Sequence, residues 1–550
     1  MQKLLTFFVL CFPLTTFSDV MVADLVVTNG LVRTMDAKRS VVQSIAVLNG
    51  KIVAVGMNTA TKPMIGPKTK VLDAKGKLVL PGFNDAHVHF LEMGADLTSI
   101  DLRSAQSPVE FVQRIKAYAA KVPKGRWILG GRWNHENWTP SNLPTAALID
   151  AVTPDHPVFI ERLDGHMALA NSLAMKLAHI TRETKDLEGG VIVRDTSGQP
   201  TGVLKDAAMD YVTKVVPEST WEQKVELAEA ATNHAASLGV TSVQDMSAGT
   251  NVDVYRELMR RGKLKTRIYG CSPLSDYKRL EKAGVHYASG DAMLRVGCLK
   301  GFADGSLGST TAWLFEPYLD APKSTGLSGE EVPRFADEIA AAEKDRLQVF
   351  IHAIGDRANA SVLDLYEKNA QTNGVRDRRF RIEHAQHLRE HDIRRFGKLG
   401  VVASMQPAHL MDDGRWASKR LNEKRLKSSY AWRSLLDSGA VLAFGSDSPV
   451  VSLNPLLGIY AAVTRRTLDN KNPNGWYPEQ KTTLDEAVRA FTWGSAYAEF
   501  QDDVKGTLEV GKLADFVVLT KDIFSINPIE IQNVKVLTTV VDGKVVYSNR

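Results

Sequence analysis

Residues 24–80 alternate apolar and polar positions over short runs: ADLVVTNG, VVQSIAVLNG, KIVAVG and KGKLVLPG, each closed by Asn-Gly or Gly. A period of two between turn residues predicts short β-strands. The C-terminal end has the same character, in KGTLEVGKLADFVVLT and in VKVLTTVVDGKVVY with its Asp-Gly turn at Asp542–Gly543. Two β-rich ends flanking a long middle predict one discontinuous β-sandwich domain, residues 19–80 and 505–550, built from both termini.

Between them, residues 81–504 alternate apolar strand-like runs with helical periodicity. Four early runs are LVLPGFNDAHVHF (78–90), VTSVQDM (240–246), TRIYGCS (266–272) and LRVGCLKGFADG (294–305). Four more are LQVFIHAIGD (347–356), FRIEHAQ (380–386), VVASMQP (401–407) and VLAFGSDSP (441–449). With helix-patterned segments such as WEQKVELAEAATNHAASLG between them, eight β/α units predict an α/β fold, a (β/α)8 TIM-like barrel. A doubly wound sheet would need an early Gly-rich phosphate loop, which is missing. Spacing agrees with the barrel, whose units average roughly 31 residues. His352 and His384 lie 32 residues apart, and His384 and Asp447 lie 63 apart with VVASMQP between them. Residues 91–239 are too long for one connection and predict an insertion after barrel strand 1. It carries strand-like runs of its own, RWILGGRW and HPVFIERLDGH, and is expected to roof the barrel mouth.

Composition narrows the class. Apolar residues form 44% and charged residues 24% of the 550, ordinary globular values that exclude disordered and fibrous chains. The net charge of +5 is spread without a basic run, which disfavours nucleic acid as a partner. The one long apolar stretch opens the chain: Lys3, then Leu4 to Phe17, then the small residues Thr16 and Ser18 near a cleavage point. This reads as a signal peptide over 1–18 and an exported, periplasmic or secreted, mature chain with no membrane span. Of the cysteines beyond it, Cys271 and Cys298 read as buried thiols, with a disulfide as the alternative.

The candidate chemistry sits at strand ends. His87 and His89 are two apart on a strand, so their imidazoles share a face and are placed to hold a divalent metal. His352 follows QVFI, His384 follows FRIE and Asp447 follows VLAFGS, each a ligand-type residue where a barrel places catalytic groups. Lys300, inside VGCLKGFADG, would be costly to bury unpaired. Either carbamylation makes it a carboxylate-like bridge between two metals, or it forms an ion pair with Asp304 on the same wall. His135, His387, His391 and His409 lack a strand-end position and read as surface or structural.

PGFNDAHVHF, LKGFADGSLGSTTA, FIHAIGD, RIEHAQ, FGSDSPV and GTLEVGKLADFVVL together resemble the amidohydrolase superfamily. The nearest resemblance is to its amidohydrolase-3, YtcJ-like branch, which includes N-substituted formamide deformylases. It runs over residues 24–550 and takes in the inserted DGHMALANS and GQPTGVLKDAAM. The resemblance implies one or two divalent ions, zinc foremost. His87 and His89 would bind the more buried ion, and an N6-carboxylated Lys300 would bridge to the second. His352 and His384 would hold that second ion, with Asp447 ligating the first and acting as base. A metal-bound water would supply hydroxide near neutral pH to attack an amide or N-formyl carbon of a small molecule.

Substrate contacts are assigned to His166 as a donor to a developing oxyanion, to Asp304, and to Trp133 in an apolar pocket. The competing activities are a mononuclear deaminase or a dipeptidase or phosphoesterase on the same scaffold, and then a non-enzymatic binding protein. All six ligand positions are filled, which argues against the last. A homodimer is the assembly kept in view.

Overall fold

The computed structural model describes residues 21–549 except 136–137, 163–166, 188–189, 330 and 375. The leader expected over 1–18 lies outside the described residues. Eight strands form the central sheet: β1 (Phe83–Val88), β2 (Val240–Asp245), β3 (Arg267–Pro273) and β4 (Leu294–Phe302) come first. β5 (Gln348–Ala353), β6 (Arg381–His384), β7 (Val402–Met405) and β8 (Leu442–Phe444) complete it. Neighbours in the sheet are neighbours in sequence and every pairing along this path is parallel, which is the (β/α)8 order. Each of the eight apolar runs contains one of these strands, but the first run is divided, its start Leu78–Pro81 pairing in a terminal sheet and only Phe83–Val88 in the barrel.

The ring closes at its mouth. Asp447 N donates to His87 O at 2.7 Å and His89 N to Ser448 O at 2.9 Å, joining the chain beyond β8 to the end of β1. Asp85 Oδ1 accepts from both His87 N and Ser446 N across the same seam, at 3.0 Å each. Gly445 makes the approach feasible, since a Cβ there would sit 2.5 Å from His87 N.

Helices Phe90–Thr98 and Trp221–Ser237 belong to the outer layer of the barrel. The second starts at a capping box, Thr220 with Gln223, and buries Val225, Ala228, Ala231 and Ala235, a stripe at helical spacing. The small residues let the helices meet backbone to backbone: a Cβ on Gly94 would lie 2.2 Å from Leu227 O. Between these helices sits the inserted layer, a six-stranded sheet with Val158–Arg162 near its centre. Alternate residues of that strand enter two separate cores, Ile160 one and Phe159 the other, so both faces of the sheet are covered.

Both termini build a β-sandwich. A four-stranded sheet holds Leu25–Thr28 and Ser44–Leu48, and a second sheet pairs Leu78–Pro81 with the C-terminal strand Phe516–Leu519. Val27, Ile45 and Val47 pack in one core with Val79, Phe516 and Val540. The sandwich docks on the barrel floor through a buried pair: Arg267 Nε lies 2.6 Å from Asp515 Oδ2, and Nη2 donates to Oδ1 at 2.9 Å.

Cys271 and Cys298 face each other across β3 and β4 with Cα atoms 4.6 Å apart and form a disulfide. The free-thiol reading is corrected here. Adjacent parallel strands brought the two residues into register, which spacing along the chain does not reveal. Among the described residues no helix is long and apolar enough to cross a membrane.

Candidate metal centre

Each ligand-type residue anticipated at a strand end is found there. His87 lies in β1 and His89 directly precedes the helix Phe90–Thr98; Lys300 is in β4, His352 in β5 and His384 closes β6. Asp447 lies three residues past β8. His384 (φ 72°) and Asp447 (φ 61°) both hold left-handed backbone, a conformation costing about 1–2 kcal/mol in a residue other than glycine. Strain of that kind persists where the surrounding fold over-determines it, here at the two points where the chain turns out of the barrel wall.

Asp447 is the hub. Its Oδ1 lies 3.4 Å from Nε2 of His87 and 3.4 Å from Nε2 of His89. Two donors on one tetrahedral ion, at metal–ligand distances of about 2.0–2.2 Å, stand about 3.4 Å apart. His87, His384 and Asp447 offer ligand atoms all within 4.8 Å of one another. The rings of His384 and His87 are centred 4.9 Å apart, and those of His384 and His352 4.4 Å apart.

Whether a metal fits is answered by the unpaired atoms. His87 Nε2, His89 Nδ1, His384 Nδ1 and Lys300 Nζ are buried without a hydrogen-bond partner. One such group costs about 1–3 kcal/mol, so several of them on the residues grouped around Asp447 mark a donor set for a cation and not a satisfied polar core. Imidazole and carboxylate donors suit a divalent first-row ion.

The electrostatics agree. Burial, reinforced by Lys300, lowers the His87 pKa to about 4, and burial lowers that of His352 to about 3, so both imidazoles are neutral at pH 7. Burial also pulls Lys300 down to about 8, against the charges of Glu383 and Asp447. For Asp447, burial pushes upward, but His87, the contact with His89, and His384 outweigh it and hold the carboxyl well below its usual range.

Behind the ligands stands a polar layer that sequence reasoning missed. Glu383 Oε2 pairs with His87 Nδ1 at 2.6 Å, which leaves Nε2 facing Asp447. Glu383 is itself held by Arg381 Nε at 2.7 Å and Ser404 Oγ at 2.6 Å. Two charged residues alternating inside the apolar run FRIEH are the signal, because alternation points both into the barrel. His409, read as structural, reaches the site too: its Nε2 lies 3.7 Å from Asp447 Oδ2.

The remaining assignments change. Lys300 does not pair with Asp304, because β4 ends at Phe302 and alternation stops there. The Asp304 carboxylate accepts instead from the backbone N–H groups of Trp313 (2.8 Å), Ile354 (2.9 Å) and Gly355 (2.7 Å), so it knits loops, and its Oδ1 lies 3.4 Å from His352 Nε2. Trp133 is fully buried in the insertion core, its Nε1 donating to Ile160 O at 2.9 Å. His166 lies outside the described residues. His387 is structural as expected, bonded at 2.7 Å to Ser429 Oγ.

Comparison with known proteins agrees with this geometry. The chain is 40% identical over 541 residues to Protein LONG AFTER FAR-RED 3 of Arabidopsis thaliana, covering 96% of this chain and 92% of that one. It is 30% identical over 545 residues to the N-substituted formamide deformylase of Arthrobacter pascens, covering 95% and 98%. The crystal structure of an uncharacterized metal-dependent hydrolase from Pyrococcus furiosus superposes with a TM-score of 0.76 at 31% identity, over 90% of this chain and 99% of that chain. The amidohydrolase family matches residues 70–547, nearly the whole described chain, and the chain belongs to that family.

Proposed function

We propose that this chain hydrolyses a non-peptide C–N bond, an amide or N-formyl group of a small molecule, at a centre of one or two divalent ions. The observation that carries the reading is Asp447, its carboxyl held well below the usual range, with Nε2 of His87 and Nε2 of His89 both at ligand spacing from one oxygen. His87, His89 and Asp447 would hold one ion. His352 and His384 would hold a second, bridged by Lys300 in N6-carboxylated form. Zinc is the ion best suited to imidazole and carboxylate donors at a site with an open position. Such an ion supplies a lowered pKa to water and polarises a carbonyl oxygen.

Asp447 does the proton work. Its carboxylate accepts the proton of the attacking water and returns it to the departing nitrogen, so amide and water become acid and amine. Glu383 holds His87 in the tautomer that presents Nε2, and the seam bonds of Asp447 N and His89 N keep carboxylate and imidazoles in register. Kinship to a formamide deformylase supports the C–N class and suggests the first substrates to try.

The test is elemental analysis of protein supplied with zinc, followed by formate or amine release from a panel of N-substituted formamides and simple amides. Stoichiometric metal and turnover on at least one member are expected. Protein that takes up no metal would sink the reading.

A further inference from the structure

The ligand set implied by family resemblance draws on β1, β4, β5, β6 and β8 and takes nothing from the loop after β7. In this chain that loop brings an imidazole to the same carboxylate. We propose that His409 is a further ligand of the metal centre, binding through Nε2 at the second oxygen of Asp447. The proposal rests on the metal-centre reading above and extends it.

Three observations carry it. First, His409 Nε2 is buried and has no hydrogen-bond partner. A structural histidine in this fold looks different: His387, nearby in the β6 loop, bonds through Nδ1 to Ser429 Oγ at 2.7 Å and through Nε2 to Gln386 at 3.0 Å. Second, the 3.7 Å between His409 Nε2 and Asp447 Oδ2 exceeds an N–H···O bond, which ends near 3.2 Å, yet is close to the roughly 3.4 Å between donors on one ion. Asp447 Oδ1 already faces His87 and His89, so Oδ2 is the oxygen left for another ligand partner.

Third, His409 is held in place. It opens the short helix His409–Asp413, and Asp413 Oδ2 accepts from Gln386 Nε2 at 2.8 Å and from Tyr430 OH at 2.7 Å. Gln386 lies two residues past His384, so the β7 loop is tied to the β6 loop. The rings of His384 and His409 stack at 29° with centroids 6.2 Å apart. A ligand on a tethered loop is preorganised in the way a metal site requires.

The experiment uses the full chain reconstituted with zinc and, separately, with cobalt(II). Metal content after dialysis against a competing chelator is measured for the wild type, His409→Ala, His409→Gln and His409→Asp. His409→Ala and His409→Gln should retain one ion about 100-fold more weakly and shift the visible cobalt spectrum. His409→Asp, which restores a ligand atom, should recover most of the retention. The Gln side chain keeps bulk and a polar tip, so folding by circular dichroism survives there even if Ala perturbs it. Unchanged retention and cobalt spectrum in folded His409→Gln would overturn the assignment while leaving the function standing. Wild-type protein that binds no ion would remove both.

Discussion

In the proposed reaction Asp447 has two duties that one atom separates. As a ligand it needs only an oxygen lone pair; as the base it must accept a proton. Asp447→Asn keeps the shape and one acceptor, so the protein should fold with its secondary structure intact while turnover falls by at least about 100-fold, read as kcat on the best substrate of the panel. Lys300 separates in a different way. Lys300→Ala should lose one equivalent of metal and most activity, and added acetate or propionate should restore part of both. Its pH signature has a definite sign. Burial brings the amine from 10.5 to about 8, so the neutral form that attacks carbon dioxide prevails above about pH 8 and is lost as pH falls through it. Incorporation of labelled bicarbonate into a carbamate, followed by NMR, should therefore rise with pH through that value. Flat incorporation would leave Lys300 an unmodified amine. The six residues proposed as ligands stood out in the sequence because each is a polar residue within or just after an apolar run. Glu383 and His409 did not: one is hidden by a neighbouring ligand, and the other sits four residues past its strand, where pattern no longer constrains direction.

At the scale of elements, the barrel was readable strand by strand because parallel, doubly covered strands are continuous apolar runs. What could not be read was which residues of different strands lie abreast. Cys271 and Cys298 show this: register, and not sequence distance, made them partners. Trp133, assigned to a pocket, is instead packed into the insertion core, where Phe111 of the helix Pro108–Ala119 meets its ring edge-on. The disulfide should have a measurable weight. It closes a separation of 27 residues, for which unfolded-chain entropy predicts about 3.5 kcal/mol. A Cys271→Ala, Cys298→Ala protein should unfold at correspondingly lower denaturant. Reductant in the denaturant should lower the wild-type midpoint and leave the variant's unchanged. Equal midpoints for the two proteins without reductant would deny the bond any role in stability.

At the scale of the whole molecule, the sandwich is joined to the barrel floor by Arg267 and Asp515, 3% and 5% exposed. Removing one partner of a buried pair costs about 3–5 kcal/mol when the other charge is left alone, and less here, because Arg267 keeps a 3.6 Å contact with Asp542. Asp515→Asn should therefore lower the urea midpoint while leaving kcat per folded molecule unchanged, because the pair lies at the floor and the chemistry at the mouth. A fall in kcat at full folding would instead couple the two ends of the barrel. The mouth itself has a further consequence. The bonds that shut the ring are made by the same residues that surround the metal, and Asp85 and Ser446, which meet there, are 361 positions apart. During synthesis His87 and His89 emerge long before Asp447 exists. Until the last strand docks against the first, the early histidines lack the Asp447 carboxylate, and a captured ion would be held by a fragment of its proposed cage. On the proposed reading, a complete cage would therefore exist only once the ring has shut, and tight retention of an ion would report that closure.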